Sequence, residues 1–267
     1  MKYAGLRVDI DCVKDAESLP VLLDMLKRHG VKATFFVATG PDNIVRNMRN
    51  YMNPLDIIRK KAFKRYGLTM LNGLLFKRQV QDSENIDMIV EAGHELGLHG
   101  YDHYDWMNHL DSKSTEEIGA LISRGCKLFE QAFGFYPKSF ASPGFTVNPR
   151  FLGVLDDFGF SYSSDFIGEK AFYPGIGTRD KICRTLQIPV SMRSIGELND
   201  DGFSDNQILK AVTDKLSRHS SFVFYCHPSY EPVFKPVFLE HVLKCMEESS
   251  KIVTLEKIAS GLKDKIN

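Results

Sequence analysis

The sequence predicts an α/β protein in which helices cover a parallel β-sheet. Short apolar segments alternate with longer segments whose apolar residues recur at helical spacing. This alternation is typical of parallel sheets, because parallel neighbours are joined by helical crossovers. The 267 residues contain no internal repeat or low-complexity linker, so we expect residues 1–267 to form one domain.

The first elements follow from local patterns. Leu6, Val8 and Ile10 alternate with polar residues, which predicts a strand with one apolar face. Ser18 can cap a helix that ends at Gly30. Further strands are predicted at residues 33–37 and 94–98, and a further helix at residues 85–91.

The second half of the chain continues the alternation. Ser114 is followed three residues later by Glu117, and this capping-box pattern predicts the start of a helix. Later strands are predicted at residues 138–140, 160–163, 186–189 and 222–225, with helices between them and up to Ile266. If the sheet closes into a barrel, its active site is expected at the carboxyl ends of the strands. The polar residues at or just after these ends are Asp9, Asp11, His99, Asp165 and His227.

The composition excludes several classes of protein. Basic and acidic residues each number 34, so the chain lacks the basic excess expected of a nucleic-acid-binding protein. The five cysteines form no CxxC pair, which argues against a zinc ribbon or a thioredoxin-like site. The sequence shows neither a signal peptide nor a membrane-spanning apolar segment, so we expect a cytoplasmic location.

Residues 41–80 depart from the alternation of strands and helices. Basic side chains outnumber acidic ones there, and Leu55, Ile58 and Ala62 recur at helical spacing. We expect a helical insertion after the second strand. A basic amphipathic surface at residues 44–78 could lie on an anionic membrane, or it could pack on the sheet with its charged side in solvent.

Asp9 and Asp11 are candidates for a general base and a metal ligand. They stand two residues apart on a strand, so their side chains leave the same face. One carboxylate can bind a metal ion while the other accepts a proton from water. An isolated pair of this kind is also common as a solvated or turn-forming feature, so other residues must support the interpretation.

His99 and His103 could bind one cation if they share a helical turn, because positions i and i+4 face the same way. With one aspartate they would supply three protein ligands and leave positions open, as in catalytic zinc sites. The same ligand set suits iron oxygenases, so the ligands alone leave the reaction open. His227 follows a buried apolar segment and is either a functional imidazole or a core histidine bonded to backbone.

Four stretches together resemble the polysaccharide deacetylase superfamily, also called carbohydrate esterase family 4 or the NodB-homology superfamily. They are residues 7–11 (RVDID), 93–103 (GHELGLHGYDH), 142–145 (SPGF) and 224–228 (FYCHP). Within the superfamily the chain is most similar to the 4-deoxy-4-formamido-L-arabinose-phosphoundecaprenol deformylases. That similarity lies in residues 5–11, 40–43, 98–106 and 162–165. The resemblance implies a distorted (β/α) barrel and a metal-dependent amide hydrolase.

The resemblance also implies roles for individual residues. The metal ligands correspond to Asp11, His99 and His103. Asp9 corresponds to the general base, and His227 to the general acid, which Asp165 supports. Substrate contacts are expected from Arg7, Tyr101, Pro143, Gly144 and Phe145. The resemblance implies a divalent metal, expected to be zinc, with cobalt or manganese as alternatives.

Two positions depart from the family pattern. Many members have adjacent aspartates in the first motif, whereas Ile10 separates Asp9 from Asp11 here. Many members also have an arginine in the third motif, near the catalytic aspartate, where this chain has Ala141. Arg7 lies on the same strand face as Asp9 and is a candidate replacement; otherwise it is a surface charge.

The resemblance implies removal of a formyl or acetyl group from an amino sugar. A deformylase acting on formamido-arabinose carried by polyprenyl phosphate would belong to lipid A modification, peripheral to the inner face of the cytoplasmic membrane. One alternative is an N-deacetylase acting on peptidoglycan or another oligosaccharide. A second is a non-catalytic lipid- or carbohydrate-binding module.

Overall fold

The strands form one parallel sheet that surrounds a buried interior. The computed structural model describes residues 2–43, 78–177 and 181–266. Within these residues the spatial order is β5-β4-β3-β2-β1-β6, with β7 also paired to β1, and every pairing is parallel. The strands are β1 (Tyr3–Ile10), β2 (Thr34–Val37), β3 (Glu95–Leu98), β4 (Ser139–Phe140), β5 (Tyr162–Ser163), β6 (Ser221–Cys226) and β7 (Lys251–Ile252).

Helices connect and cover these strands, as the alternation predicts. Those of the described residues are α1 (Val13–His29), α2 (Asp87–Glu91), α3 (His103–His109), α4 (Thr115–Phe133), α5 (Pro149–Leu155), α6 (Ile195–Asp200), α7 (Asp205–Arg218), α8 (Glu231–Phe234), α9 (Pro236–Ser249) and α10 (Leu255–Ile266). The capping box of Ser114 and Glu117 is present at the start of α4. None of the described helices has the length and apolarity needed to cross a membrane.

The first helix begins earlier than predicted. Cys12 is its N-cap, and Ser18 lies inside α1, where its hydroxyl donates to the Lys14 carbonyl. That back-bond occupies the hydroxyl, so Ser18 does not cap a helix end. The C-terminus is as predicted, because Gly30 adopts the left-handed conformation with φ of 63° that ends many helices.

The segment predicted as a strand at residues 186–189 is irregular, but it closes the barrel. On one side, the Ser163 N–H donates to the Leu186 carbonyl and the Ile188 N–H donates to the Ser163 carbonyl of β5. On the other side, the Ser191 N–H donates to the Val223 carbonyl of β6 at 2.8 Å. This segment therefore joins the two edges of the sheet, and the fold is a distorted (β/α) barrel.

Strand β1 separates two apolar cores. Leu6, Val8 and Ile10 face outward and are buried in the core between sheet and helices. The alternate residues Arg7 and Asp9 therefore face the barrel interior. Other side chains of the interior belong to Phe36, Tyr162, Ile188, Val190, Val223 and Tyr225. Because of this alternation, Arg7 and Asp9 lie on the interior face of β1, toward the carboxyl end of the barrel.

The two ends of the predicted insertion meet at the carboxyl end of β2. Pro41 and Gln79 form an antiparallel bridge, and the Asp42 N–H donates to the Arg78 carbonyl at 2.9 Å. Residues 44–77, which include most of the basic and apolar side chains of this segment, lie outside the described residues. Its helical character and both interpretations of its basic surface therefore stay predictions.

Candidate metal centre and active site

The predicted site residues converge at the carboxyl ends of the strands. Asp9 lies near the end of β1 and Asp11 just beyond it. His99 directly follows β3, and His227 directly follows β6. All four side chains are buried, with 9% exposure at most. Parallel strands bring these positions together although they are distant in the sequence.

Asp11, His99 and His103 form a possible cation site. Asp11 Oδ1 lies 3.2 Å from His99 Nε2 and 3.4 Å from His103 Nε2. One ligand atom from each residue falls within 4.8 Å of the others. Donors held about 2 Å from a tetrahedral zinc ion are on the order of 3.3 Å apart, so these separations suit such an ion.

The surroundings of Asp11 also fit a cation. Its Oδ1 atom is buried and has no hydrogen-bond partner among the described residues. A buried carboxylate oxygen without a donor is costly, and a bound cation would remove that cost. Although burial alone raises the pKa of Asp11, the neighbouring His103 and His227 hold it well below its usual range. The carboxylate is therefore charged and ready to bind a metal ion.

The two histidines are brought together by a loop, not by the single helical turn that their spacing predicts. Gly100 has a φ of 69°, and Asp102 is the extended N-cap of α3, accepting a hydrogen bond from the Asp105 N–H. His103 is therefore the first residue of α3, whereas His99 precedes the turn. Gly100 redirects the chain because glycine enters the left-handed region without a steric penalty.

A backbone contact orients His99. Its Nδ1 atom lies 2.9 Å from the carbonyl oxygen of Ala141, and because a carbonyl can only accept, Nδ1 must donate. In the neutral ring, Nε2 then carries the lone pair that faces Asp11. This is the usual arrangement for a metal-binding histidine. Ala141, at the position where many relatives have an arginine, thus contributes its backbone carbonyl, which orients His99.

Arg7 pairs with Asp9 inside the barrel. Its Nε and Nη2 atoms donate to the two carboxylate oxygens at 2.7 and 2.6 Å. Its Nη1 atom donates to the Ser164 carbonyl, and its guanidinium carbon lies 4.7 Å from the centre of the Phe145 ring. Burial opposes the charge, but Asp9 raises the pKa of Arg7 above its ordinary value. Arg7 has no exposed surface, which excludes the alternative of a surface charge, and its expected contact with substrate stays a prediction.

Tyr225 is a site residue that sequence reasoning missed. Its hydroxyl lies 2.9 Å from His227 Nε2, and the same nitrogen lies 3.3 Å from Asp11 Oδ2. Burial raises the pKa of Tyr225 well above its usual value, so the hydroxyl keeps its proton. Tyr225 lies in β6 and His227 directly follows it, two residues further on, and this period-two spacing could have identified the pair.

Asp165 lies in the site, where three donors hold its carboxylate. It accepts hydrogen bonds from the Ser142 N–H at 2.7 Å, the Ser163 hydroxyl at 2.5 Å and the Gln187 amide at 2.9 Å. Burial raises the pKa of Asp165, although these donors and Arg7 oppose the increase. Asp165 therefore anchors the third motif at Ser142, and its expected support of His227 stays a prediction.

The remaining expected substrate-binding residues line the same end of the barrel. Pro143, Gly144 and Phe145 form one short 3-10 turn, in which Gly144 is exposed and Phe145 has a φ of 55°. A positive φ at a non-glycine residue is strained, and such strain often occurs at functional sites. Tyr101 packs its ring under Arg124, with 4.3 Å between the guanidinium carbon and the ring centre.

Comparisons with known proteins are consistent with this geometry. The sequence pattern of the polysaccharide deacetylase family matches residues 5–163, which is more than half of the chain. The chain belongs to the polysaccharide deacetylase family.

One relative is the probable 4-deoxy-4-formamido-L-arabinose-phosphoundecaprenol deformylase of Shewanella sediminis. It is 30% identical over 262 residues, covering 94% of this chain and 84% of that protein. Together with the family match, this similarity identifies the chain as an amide hydrolase of the deacetylase and deformylase type.

Solved structures share the fold at lower sequence identity. A probable polysaccharide deacetylase from Pseudomonas aeruginosa superposes with a TM-score of 0.67 at 14% identity, over 97% of this chain and 89% of that one. A family 4 pseudoenzyme from Bacillus anthracis superposes with a TM-score of 0.56 at 19% identity, over 97% and 66%. These structures show that the fold is shared, also with a protein described as a pseudoenzyme, so the function of this chain must be argued from its site.

Proposed function

We propose that this protein removes the formyl group from an amino sugar carried on a polyprenyl phosphate. One observation carries the proposal: Asp11 Oδ1 lies between the Nε2 atoms of His99 and His103, with Asp9 and His227 beside it. Three metal ligands beside a candidate base and a candidate acid suit metal-assisted hydrolysis of an amide. The Shewanella sediminis relative, named as a deformylase of this kind, supports the substrate class.

The metal ligands in this proposal are Asp11, His99 and His103. When bound, a divalent ion supplies a Lewis acid that polarises an amide carbonyl and makes a water molecule more acidic. One carboxylate and two imidazoles suit zinc, and cobalt or manganese can take the same ligands. We propose zinc as the resident metal.

Proton transfers are assigned to Asp9 and His227. Asp9 accepts the proton of the attacking water, and the bidentate contact from Arg7 holds its carboxylate in one orientation. His227 donates a proton to the departing amine, which cannot leave as an anion. The Tyr225 hydroxyl, 2.9 Å from His227 Nε2, orients the imidazole. Arg7 would thus supply from β1 the charge that many relatives supply from the third motif.

Substrate contacts are proposed for the exposed Gly144 and the half-buried Phe145, with Pro143 and Tyr101 at the same end of the barrel. The polyprenyl phosphate would bring the protein to the inner face of the cytoplasmic membrane. The basic residues of segment 44–78 would favour an anionic surface by charge. The whole chain would act as one catalytic domain.

The test is product analysis by mass spectrometry after incubation with zinc and matched polyprenyl-phosphate amino sugars. One substrate bears a formyl group and the other an acetyl group on the same nitrogen. We expect a loss of 28 mass units from the formyl substrate, the replacement of CHO by H, at a rate at least about tenfold above that for the acetyl substrate. Faster release of acetate would favour the oligosaccharide deacetylase alternative.

The non-catalytic alternative makes a different prediction for the same assay. If the protein is a binding module, both substrates should keep their mass after incubation with the folded protein and zinc. The convergence of Asp9, Asp11, His99, His103 and His227 argues against loss of turnover. Absence of released formate and acetate would nevertheless decide for the binding module.

A further inference from the structure

Two buried carboxylates outside the site hold the loops that carry it. Asp15 lies in the first turn of α1 and Glu231 in the first turn of α8, and both side chains are fully buried. Neither belongs to the four stretches that carry the resemblance to the deacetylase superfamily. Burial of a carboxylate destabilises the folded state unless several donors bind it. The donors that bind Asp15 and Glu231 therefore indicate what these two residues do.

Asp15 joins the loop of the metal ligand to the loop of the proton donor. Its Oδ2 atom accepts from the Asp11 N–H at 3.2 Å and from the Cys12 thiol at 3.2 Å. Its Oδ1 atom accepts from the Ser229 N–H at 3.2 Å and from the Ser229 hydroxyl. Ser229 stands two residues beyond His227 and 214 residues beyond Asp15. Each carboxylate oxygen of Asp15 therefore accepts hydrogen bonds from a different loop.

An ordinary helix cap explains only half of this arrangement. A carboxylate in the first turn of a helix commonly accepts hydrogen bonds from nearby backbone N–H groups. The Asp11 contact fits that pattern. The two donors of Ser229 come from the far end of the chain and contribute nothing to capping α1. What they do contribute is a fixed separation between Asp11 and His227.

Glu231 makes the second connection on the His227 side. Its Oε2 atom accepts from the His227 N–H at 2.8 Å, and its Oε1 atom accepts from the Gly196 N–H at 3.1 Å. The backbone of His227 is thus tied to the start of α6. Both carboxylate oxygens of Glu231 thus bind backbone on the His227 side of the site, so we expect Glu231 to act on the proton donor.

We infer that Asp15 and Glu231 are positioning residues, which set the distance and orientation of His227 relative to the metal ligand Asp11. The inference rests on the proposed hydrolase function. It predicts a division of labour: Asp15 affects both metal binding and turnover, whereas Glu231 affects turnover alone. Loss of groups that orient metal ligands typically costs 10–100-fold in metal affinity or activity.

The test compares Asp15→Asn, Glu231→Gln and a matched control, Asp156→Asn. Asp156 also accepts several hydrogen bonds, from the N–H groups of Arg184 and Thr185 and the Thr185 hydroxyl, and within the described part of the chain these partners are not site residues. Zinc affinity is measured by competition with a chromophoric chelator, without substrate. Turnover at saturating zinc is measured as kcat and KM separately, and stability as the thermal midpoint.

For Asp15→Asn we expect zinc affinity about 10-fold weaker or more, and kcat at saturating zinc reduced about 10–100-fold with KM nearly unchanged. For Glu231→Gln we expect a similar fall in kcat with zinc affinity within about twofold of wild type. Asp156→Asn should lower the thermal midpoint while leaving zinc affinity and kcat near wild type.

The inference is overturned if Asp15→Asn loses only stability, as the control does, or if both site variants lose zinc affinity equally. Failure of the proposed function is a separate outcome. It appears as a wild-type protein that releases no acyl group, and in that case the zinc affinities alone decide whether Asp15 and Glu231 differ as stated.

Discussion

At the scale of single residues, Asp9 and Asp11 have different partners although they leave the same strand face. Asp9 is held by Arg7 through two hydrogen bonds, and Asp11 faces the two histidines.

We therefore expect Asp9→Asn to retain zinc and to lower kcat about 10²–10⁴-fold, as loss of a general base does. His99→Ala should lose both zinc and turnover, because it removes a ligand. Zinc content and kcat measured on both variants check this, and full activity in Asp9→Asn with zinc bound would contradict it.

Arg7 provides a second residue-scale prediction. Its guanidinium is fully buried and pairs with Asp9, so Arg7→Ala would leave a buried carboxylate without its cation. We expect unfolding free energy to fall by about 3–5 kcal/mol, as is common when one partner of a buried pair is removed. Arg7→Lys keeps the charge but cannot donate along two parallel bonds, so it should recover stability in part and kcat poorly.

Urea unfolding and kcat at saturating zinc would be measured on both Arg7 variants. Arg28→Ala is a suitable control, because Arg28 forms exposed ion pairs with Asp24 and Glu240 that contribute little. An Arg7→Lys variant with wild-type kcat would show that charge alone suffices and that the bidentate geometry is unimportant.

At the scale of secondary-structure elements, most strands were predictable, whereas the irregular segment at 186–189, the short strand β7 and the loops were not. Alternation of apolar residues identified β1 and placed Asp9 and Asp11 on one face, as observed. The spacing of His99 and His103 is compatible with a helical turn or a loop, and the left-handed Gly100 decides for the loop. No local pattern shows that Asp15 meets Ser229, because that contact depends on the closed barrel.

A buried polar cluster at the amino ends of the strands gives an element-scale prediction. Glu95 at the start of β3 accepts from the Tyr162 hydroxyl at 2.5 Å, the Thr34 hydroxyl at 2.6 Å and the Glu256 N–H of α10 at 3.0 Å. Burial nevertheless raises the pKa of Glu95 above its ordinary value. The folded state therefore holds this proton more tightly than the unfolded state does.

The sign of the pH dependence follows from that difference. The contribution of protonated Glu95 is fully present below about pH 4.5, its ordinary pKa, and is lost as pH rises through the raised value in the folded protein. We expect the stability of Glu95→Gln relative to wild type to increase as pH rises from about 4 to 7. Urea unfolding of both proteins across this range measures the difference. A constant difference across the range would show that the carboxyl titrates alike in both states.

At the scale of the whole molecule, folding and metal binding should be separable. The barrel interior and the layer between sheet and helices are both filled by buried apolar side chains that do not involve the ligands. A chain of this size buries enough apolar surface to fold without a metal. The metal site is therefore expected to be an addition to a stable fold, unlike the sites of small zinc domains that unfold without their ion.

Chelation provides the corresponding prediction. Removing divalent ions should abolish hydrolysis and leave the far-ultraviolet circular dichroism spectrum at 25 °C unchanged, because the cores persist. Adding zinc at about 100 times its Kd should stabilise the folded state by about 2.7 kcal/mol, since the unfolded chain lacks the assembled site. The thermal midpoint should rise by several degrees in wild type and not in His99→Ala, which lacks a ligand. Unfolding on chelation would instead show that the fold depends on the bound ion to hold Asp9, Asp11 and the histidines together.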